Sequence, residues 1–556
     1  MSNSDIHNMR QQRFELPDCS EWEKVAEHSL KGKPVASLRT KTVEGITLEP
    51  LYSALNKQTG TIRPSHRKWI CAQPTDGKTG CEWLASMTDS FEKGNEAIYI
   101  DGRTSIEWDE VSLDQLADLM KKHPIAFIHI DSQDRLVDVF DRIPSEEREA
   151  VTGLLLSNGI QLPSGYQHIR TLGIDLEPLH MDGADSVTEL AVALAEASEL
   201  AIESDSFARF SSQVFFRFPA DTHFFMEIAK FRAFRTLWQL FCSAYDVKDV
   251  TPVPVIGVTS LRSFSKIDPY VNLLRAGNSA FSAVLGGADW LTVYPYNELT
   301  GETAQSLRYA RNAQLIIREE THADKVIDPG GGSYFIEHLT DALVHKSWRR
   351  FLEIEENGGL DAFLQSGQLQ QLADERHEHA ATGSASLIGT NVYADAENHE
   401  LVENSIRIEM SRPAYAFEEL RKKSAEQQID IRLLVFGSLK SYKPRADFAT
   451  EFLATGGLTA KHSPAFEDAS SAIDWLKTEA PDYVILCADP DRTEQVAPDL
   501  ISNKPAGVLM DVAGLVSEEL TGNWLASGLD GFIFKGQNRI EKLTQILKRC
   551  KGGEDS

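Results

Sequence analysis

Between about residue 95 and residue 340, short apolar runs rich in β-branched and aromatic residues alternate with longer segments of helical period. Alternation on that scale restricts the chain to repeated βα units. Ile98 to Ile100, Ile125 to Ile130, Leu172 to Leu179, Val214 to Phe218, Val253 to Val258 and Trp290 to Tyr294 read as strands spaced by roughly one such unit. Several are apolar almost throughout, as strands covered on both faces must be. The expected fold of this stretch is an α/β architecture, a (β/α)8 TIM barrel. Phe224, Ile228, Phe231, Phe234, Trp238 and Phe241 recur at intervals of three and four and form one apolar helix face. Val187, Leu190, Leu194, Ala197 and Ala201 form another, behind Asp185-Ser186, which suit its N-terminal cap.

From Ala380 to about Gln428 the pattern gives way to Ala381-Thr-Gly-Ser-Ala-Ser386, an acidic stretch around Asp395 to Glu403, and a polar helix rich in Glu and Lys. This reads as a linker wrapping the surface. Beyond it, strands at Ile431 to Phe436, Tyr483 to Cys487, Gly507 to Leu509 and Gly531 to Phe534, with a short Leu458 to Ala460, alternate with helices. Those helices are placed at Ala446 to Ala454, Ala469 to Thr478, Thr493 to Ile501, Glu518 to Ser527 and Arg539 to Arg549. Five βα units form a flavodoxin-like, doubly wound domain. The expected division is an N-terminal arm at 1–45, the barrel at 46–380, the linker at 381–428 and the second domain at 429–550.

A formal charge of −27 disfavours nucleic acid and anionic bilayers as partners, because a phosphate-tracking surface needs a net basic face. No apolar run approaches the roughly 18 residues of a membrane span. The segment Met1 to Arg10 has neither the apolar core of a secretory signal nor the Arg-rich character of a transit peptide, so a cytoplasmic protein is expected. Cys19, Cys71, Cys81, Cys242, Cys487 and Cys550 are scattered without a C-x-x-C pair, which favours reduced thiols over disulfides or zinc. His377-Glu-His379 has a metal-like spacing but no third ligand, and reads as a solvated helix face. Asp328-Pro-Gly-Gly-Gly-Ser333 lacks the Gly-Lys-Ser/Thr of a P-loop and reads as a tight turn.

That turn belongs to Lys325-Val-Ile-Asp-Pro-Gly-Gly-Gly-Ser-Tyr-Phe-Ile-Glu-His-Leu-Thr340, which follows Arg308-Tyr-Ala-Arg-Asn-Ala-Gln314. Together they resemble the stretch before the last barrel helix of methylmalonyl-CoA mutases. Phe224-Phe-Met-Glu-Ile-Ala-Lys-Phe-Arg-Ala-Phe-Arg-Thr-Leu-Trp238 resembles a second signature helix of that family. Leu30-Lys-Gly-Lys33, Lys41-Thr-Val-Glu-Gly-Ile46 and Pro50-Leu-Tyr52 resemble its amino-terminal arm, so the resemblance spans essentially the whole chain.

In catalytic members, the resemblance implies, an Asp-x-His-x-x-Gly turn after the first strand of the carboxyl-terminal domain supplies the imidazole that ligates the cobalt of adenosylcobalamin. Here the turn reads Gly437-Ser-Leu-Lys440-Ser-Tyr442-Lys-Pro-Arg445-Ala. Lys440 stands at the Asp position, Tyr442 at the His position and Arg445 at the Gly position. A cation replaces the imidazole's acceptor, a phenol replaces the imidazole, and a long side chain fills the close approach that Gly permits. His462, one loop further on, lacks an orienting Asp and is not expected to replace the ligand. Around Trp69-Ile-Cys-Ala-Gln73 the family's Arg falls on Ala72 and its Tyr on Pro74, and no tyrosine occurs between Tyr52 and Tyr99. The polar Thr-His-Ser-Gln-Thr-Ser run becomes Val255-Ile-Gly-Val-Thr-Ser260. His180, in Leu179-His-Met-Asp-Gly-Ala184, stands where the family places an active-site His, but without its neighbours it is expected to be vestigial.

These departures point to the small, or beta, subunit of a heterodimeric mutase. Such a chain contributes no catalytic residue and no metal ligand. Adenosylcobalamin and the acyl-CoA substrate are held by the large, or alpha, subunit, and the assembled isomerase interconverts methylmalonyl-CoA and succinyl-CoA. The barrel is expected to be closed to substrate, with an apolar lumen filled by side chains. A self-sufficient acyl-CoA mutase with an unusual cobalamin site, or a cobalamin-free acyl-CoA binding or structural partner, are the alternatives the residues leave open.

Overall fold

The computed structural model describes residues 18–53, 68–247, 250–397 and 412–550. A short antiparallel pair, β1 (Thr40–Lys41) and β2 (Thr47–Leu48), precedes the main body. There, β3 (Ile70–Cys71), β4 (Ile98–Asp101), β5 (Ile125–Asp131), β6 (Thr152–Asn158), β7 (His168–Arg170), β8 (Leu172–Asp175), β9 (Val214–Ala220), β10 (Val255–Thr259) and β11 (Trp290–Thr292) form two parallel sheets. Their orders are β4-β5-β6-β7 and β3-β11-β10-β9-β8. The sheets meet at both edges. Thr171 alone separates β7 from β8, and the Cys71 carbonyl of β3 accepts the Glu96 and Ala97 amides just before β4 at 2.9 and 3.2 Å.

Tyr99, Ile128, Leu154, Phe215, Ile256 and Trp290, from six different strands, converge in one buried cluster. Behind β9, Phe231, Phe234 and Trp238 of helix Phe224–Ala244 pack on Phe216 and Phe218. Fully burying each such ring contributes about 1.5–3 kcal/mol. The cap expected at the next helix is present: Asp185 accepts the Thr188 amide at 2.8 Å at the start of Ser186–Glu203.

Besides β1 and β2, three strands of the two parallel sheets were not evident in the sequence: β3, β6 and β7. Gly153 explains the second. It sits at φ +145°, and a Cβ there would lie 2.1 Å from the Ile125 carbonyl oxygen, so the close approach of β6 to β5 demands a residue that weakens the strand pattern. The run Leu172 to Leu179 also proves to be two elements, β8 and a short helix, Glu177–Met181.

The carboxyl-terminal sheet contains β12 (Ile431–Val435), β13 (Lys461–His462), β14 (Tyr483–Cys487), β15 (Leu509–Ala513) and β16 (Gly531–Ile533). All pairs are parallel, in the order β13-β12-β14-β15-β16. Buried clusters cover both faces. The short strand expected at Leu458 to Ala460 instead lies at Lys461–His462, and the one expected at Gly507 to Leu509 extends to Ala513. Asp511 hid the latter. It is buried and accepts the Tyr483 hydroxyl at 2.8 Å while pairing with Lys542.

The segment expected to be a surface linker is partly core. Thr390, Asn391, Arg412 and Phe417 are buried, and Phe417 packs with Ile267 and Ala380. Arg412 pairs with Glu418 at 2.7 Å and donates to the Phe264 carbonyl at 3.0 Å, while Glu418 accepts the Lys266 amide at 2.8 Å. Its polar residues are thus spent on the loop after β10. The acidic part from 398 to 411 lies outside the described residues.

Among the described residues no helix is long and apolar enough to cross a membrane. All six cysteines are free thiols.

Candidate functional site

The turn after β12 departs from expectation in backbone as well as side chains. The helix begins at Leu439, not Ala446, and runs to Ala454 with Pro444 inside it. Ser438, extended at φ −74° and ψ 157°, occupies its N-cap, and its carbonyl accepts the Ser441 amide at 2.9 Å. Pro444, the sixth residue of the helix, forgoes one ladder bond, to the Lys440 carbonyl. Lys440, Tyr442 and Arg445 therefore sit in the first two helical turns instead of an open loop.

At the carboxyl edge of β12 and β14, Ser441 and Arg445 reach across to the helix after β14, while Lys440 is exposed. Ser441 bonds Asp489, which caps the helix after β14, and Arg445 donates to Thr493 Oγ1 at 2.9 Å. The Arg445 guanidinium lies 3.1 Å from where a Cβ on Gly514 would be, and Gly514 has φ +101°. Tyr442 meets His462 edge to face at 6.3 Å. His462 itself is exposed on β13. At this edge, then, a phenol, an ammonium and a guanidinium occupy the three positions, and none offers the neutral imidazole nitrogen that cobalt ligation needs.

His180 lies in the short helix after β8 and is fully buried. Its Nδ1 meets Glu189 Oε1 at 2.7 Å and its Nε2 meets Ser260 Oγ at 2.7 Å. A carboxylate only accepts, so the ring proton belongs on Nδ1, and Nε2 accepts from the Ser260 hydroxyl. Ser260 Oγ in turn accepts the Arg262 amide at 3.1 Å. Lys230 bridges Glu189 at 2.8 Å and Glu227 at 2.7 Å. Burial, with the Arg262 guanidinium beside it, pulls His180 down to about 4, so the ring is neutral near pH 7. Both nitrogens are spent on protein partners, which leaves no lone pair or proton for a substrate.

A second polar group, not expected from the sequence, is buried around β9. In the otherwise apolar β9, Arg217 is fully buried and donates to Asp175 at 2.9 Å, to Glu177 at 2.8 Å and to the Tyr294 hydroxyl at 3.0 Å. Tyr294 donates to Glu177 at 2.7 Å. Arg103 pairs with Asp101 and reaches Glu177 at 3.2 Å. Burial alone would raise the Asp175 carboxyl, but Arg217 and His129 hold it below the usual carboxylate range. The expected wholly apolar lumen is thus corrected. Ile256 does join the apolar cluster, but an ion-paired layer lies at the carboxyl ends of the strands. The signal available in sequence was a single Arg inside Val214-Phe-Phe-Arg-Phe-Pro-Ala220.

His129, Asp175 and Glu177 bring one donor each within 4.8 Å of one another. His129 sits at φ +55°, at the irregularity between β5 and β6, with Nε2 3.1 Å from Asp175. The group opens on a cavity of about 300 Å³. Arg217 already pairs with both carboxylates, so a cation here would meet a fixed positive charge.

The segments that carry the family resemblance meet in space. Arg232 donates from Nε and Nη2 to the two Asp328 carboxylate oxygens at 2.7 and 2.9 Å and to Glu337 at 2.8 Å. It thereby ties the Phe224–Ala244 helix to the Asp328-Pro-Gly-Gly-Gly turn. Gln314 donates to Gln73 Oε1 at 3.0 Å, Gln73 donates to the Val293 carbonyl at 2.6 Å, and Arg318 stacks over Trp69 at 4.9 Å. Ala72 is buried beside the apolar cluster, and Pro74 lines a cavity. His377 and His379 lie on helix Gln368–Thr382, where Glu378 is spent on Asn538 at 2.8 Å.

Parallel sheets with the signature segments joined in this way define an α/β chain of the mutase type. The family description "Methylmalonyl-CoA mutase" matches residues 164–438. A probable methylmalonyl-CoA mutase small subunit of Mycobacterium tuberculosis is 31% identical over 406 residues, covering 69% of this chain and 66% of its own length. The methylmalonyl-CoA mutase small subunit of Porphyromonas gingivalis is 29% identical, covering 67% and 65%. That of Streptomyces virginiae is 28% identical, covering 96% and 97%. The chain belongs to the methylmalonyl-CoA mutase family.

Proposed function

We propose that this chain is the small, non-catalytic subunit of a heterodimeric, adenosylcobalamin-dependent methylmalonyl-CoA mutase of the cytoplasm. The observation that carries the reading is the helix Leu439–Ala454, which begins where a ligand loop belongs, holds Lys440 and Tyr442 in its first turn and ties Arg445 to Thr493 across the crevice. These residues do not fit the cofactor: no imidazole stands at the turn, and the Arg445 guanidinium covers Gly514. The large subunit is the chain that holds adenosylcobalamin and the acyl-CoA, and interconverts methylmalonyl-CoA and succinyl-CoA.

The architecture proposed with it is a (β/α)8 barrel at 46–380 followed, after a connection at 381–428, by a degenerate flavodoxin-like domain at 429–550. Supporting the first is the pairing at both edges, which makes β7 and β8 one broken strand in a circuit of eight. The β13-β12-β14-β15-β16 order supports the second, since it is the 2-1-3-4-5 order of doubly wound sheets. Residues 1–45 are proposed to wrap the large subunit. Helix Cys19–Ser29 buries none of its residues on this chain, and Val25 is 67% exposed; Phe14 and Leu16, also expected in the arm, lie outside the described residues.

The test is reconstitution. Mixed with the large subunit and isolated, the complex is expected to contain one cobalamin per pair of chains. Two per pair, or turnover by this chain alone, would contradict the assignment.

A further inference from the structure

A second cavity, of about 570 Å³, lies between helix Gly80–Glu92 and helix Ala304–Thr321, beyond the end of β3. Its walls include the start of the 18-residue helix Ala304–Thr321, where Ala304 and Gln305 line the space. The first turn of a helix leaves amides without intrahelical partners and carries partial positive charge. The capping box between Thr303 and Ser306 engages the Ser306 amide, so the amides of Ala304 and Gln305 are the ones left to face an acceptor.

Two further observations at this cavity are independent of the helix end. Arg311 is only 7% exposed. One of its nitrogens donates to Ser90 Oγ at 3.0 Å, while its Nε is buried without a partner. A guanidinium taken out of water with a donor unspent is costly, and an acceptor reaching it recovers that cost. The Thr75 hydroxyl, on the opposite wall, is also buried and unpartnered. Arg308, one turn before Arg311 on the same helix face, lines the mouth.

The charges present favour an anion. Lys93, Arg308 and Arg311 are three cations against the two carboxylates Asp76 and Asp89. Lys93 is paired with Asp89 at 2.5 Å, which leaves Arg308 and Arg311 against Asp76, whose carboxylate accepts the Ser86 hydroxyl at 2.7 Å. Burial pulls the Arg311 guanidinium below its usual value, with Asp89 only partly offsetting it. An oxyanion beside it reverses that balance. Several donors converging from different directions suit the tetrahedral phosphate better than a planar carboxylate. The volume exceeds that of a phosphate ion and falls in the range of small-molecule sites. Leu307 and Pro74 supply apolar wall for an organic remainder.

We propose that this cavity binds a small organic phosphate, held by Arg308, Arg311, the Thr75 hydroxyl and the first amides of helix Ala304–Thr321. The site is separate from the carboxyl-edge crevice and does not depend on the subunit assignment.

Calorimetric titration of the full chain with inorganic phosphate at low ionic strength tests it, with malonate titrated in parallel. Saturable binding of phosphate with a dissociation constant of about 1 mM or tighter is expected. Arg308→Gln and Thr75→Val change residues outside the packed core, and each is expected to weaken binding by about tenfold. Arg311→Gln is expected to abolish it, with circular dichroism reporting whether that variant folds. An absence of saturable heat, or unchanged affinity in either Arg308→Gln or Thr75→Val, overturns the site. Tighter binding of malonate than of phosphate overturns the choice of ligand.

Discussion

The Arg445 guanidinium donates to the Thr493 hydroxyl at 2.9 Å, bridging the helices that follow β12 and β14. Because it also lies against Gly514, one side chain ties together three elements at this edge. Arg445→Ala is expected to lower unfolding free energy by about 1 kcal/mol, the usual worth of one such bond, read from the urea midpoint. No change in midpoint would show that the bridge is idle.

His180 sets the next expectation. Burial holds its pKa at about 4 in the folded protein, against a model-peptide value near 6.5. The unfolded chain therefore binds the extra proton between about pH 6.5 and pH 4, and stability falls as pH falls through that window, by about 3 kcal/mol in all. Glu227 acts in the opposite direction. Burial, with Lys230 partly offsetting it, raises its pKa to about 7, so its contribution is lost as pH rises toward that value. The measurement that separates them is wild type against His180→Gln. The stability difference is expected to grow in favour of wild type from pH 4 to pH 7, and a flat difference would contradict the buried neutral imidazole.

The same residue tests whether this chain takes part in catalysis. In the reconstituted heterodimer, His180→Ala is expected to lower stability while leaving turnover per folded complex nearly unchanged. A tenfold loss of turnover without dissociation, about 1.4 kcal/mol of transition-state stabilisation, would place His180 in the chemistry.

Arg232 is nearly fully buried among Asp328, Glu337 and Thr340. Arg232→Met is expected to cost about 3 kcal/mol or more, because two carboxylates lose their counter-charge in a dry site. Arg135→Ala, at an exposed pair with Glu110, is expected to change stability by less than about 1 kcal/mol. Equal effects in urea unfolding would mean that the joint between the two signature segments carries no special energy.

What the sequence disclosed follows a physical divide. Strands buried on both faces and lacking polar residues, such as Tyr483–Cys487, were legible to the residue. Those interrupted by Gly153 or Asp511 were missed or displaced, because tertiary partners justify residues that local pattern disfavours. Lys440, Tyr442 and Arg445 were legible as departures from a motif. That they would lie inside a helix beginning at Leu439 was not, the helix being expected only from Ala446. The Arg217 layer was illegible because its acids and tyrosine lie tens of residues away in sequence.

The amino-terminal helix Cys19–Ser29 fully buries none of its residues on its own chain. Deleting residues 1–40 is expected to leave the urea midpoint of the isolated chain almost unchanged while weakening association with the large subunit in sedimentation equilibrium. Unchanged association would show that the arm does not contact the partner.

The central claim is that this chain does not itself carry the cofactor. Titration of the isolated protein with adenosylcobalamin at micromolar concentration, followed in the visible spectrum, tests it most directly. No stoichiometric spectral change is expected, since Tyr442 and Lys440 stand where an imidazole and its carboxylate are required. A stoichiometric shift reporting a protein histidine in place of the cofactor's own base would contradict the account.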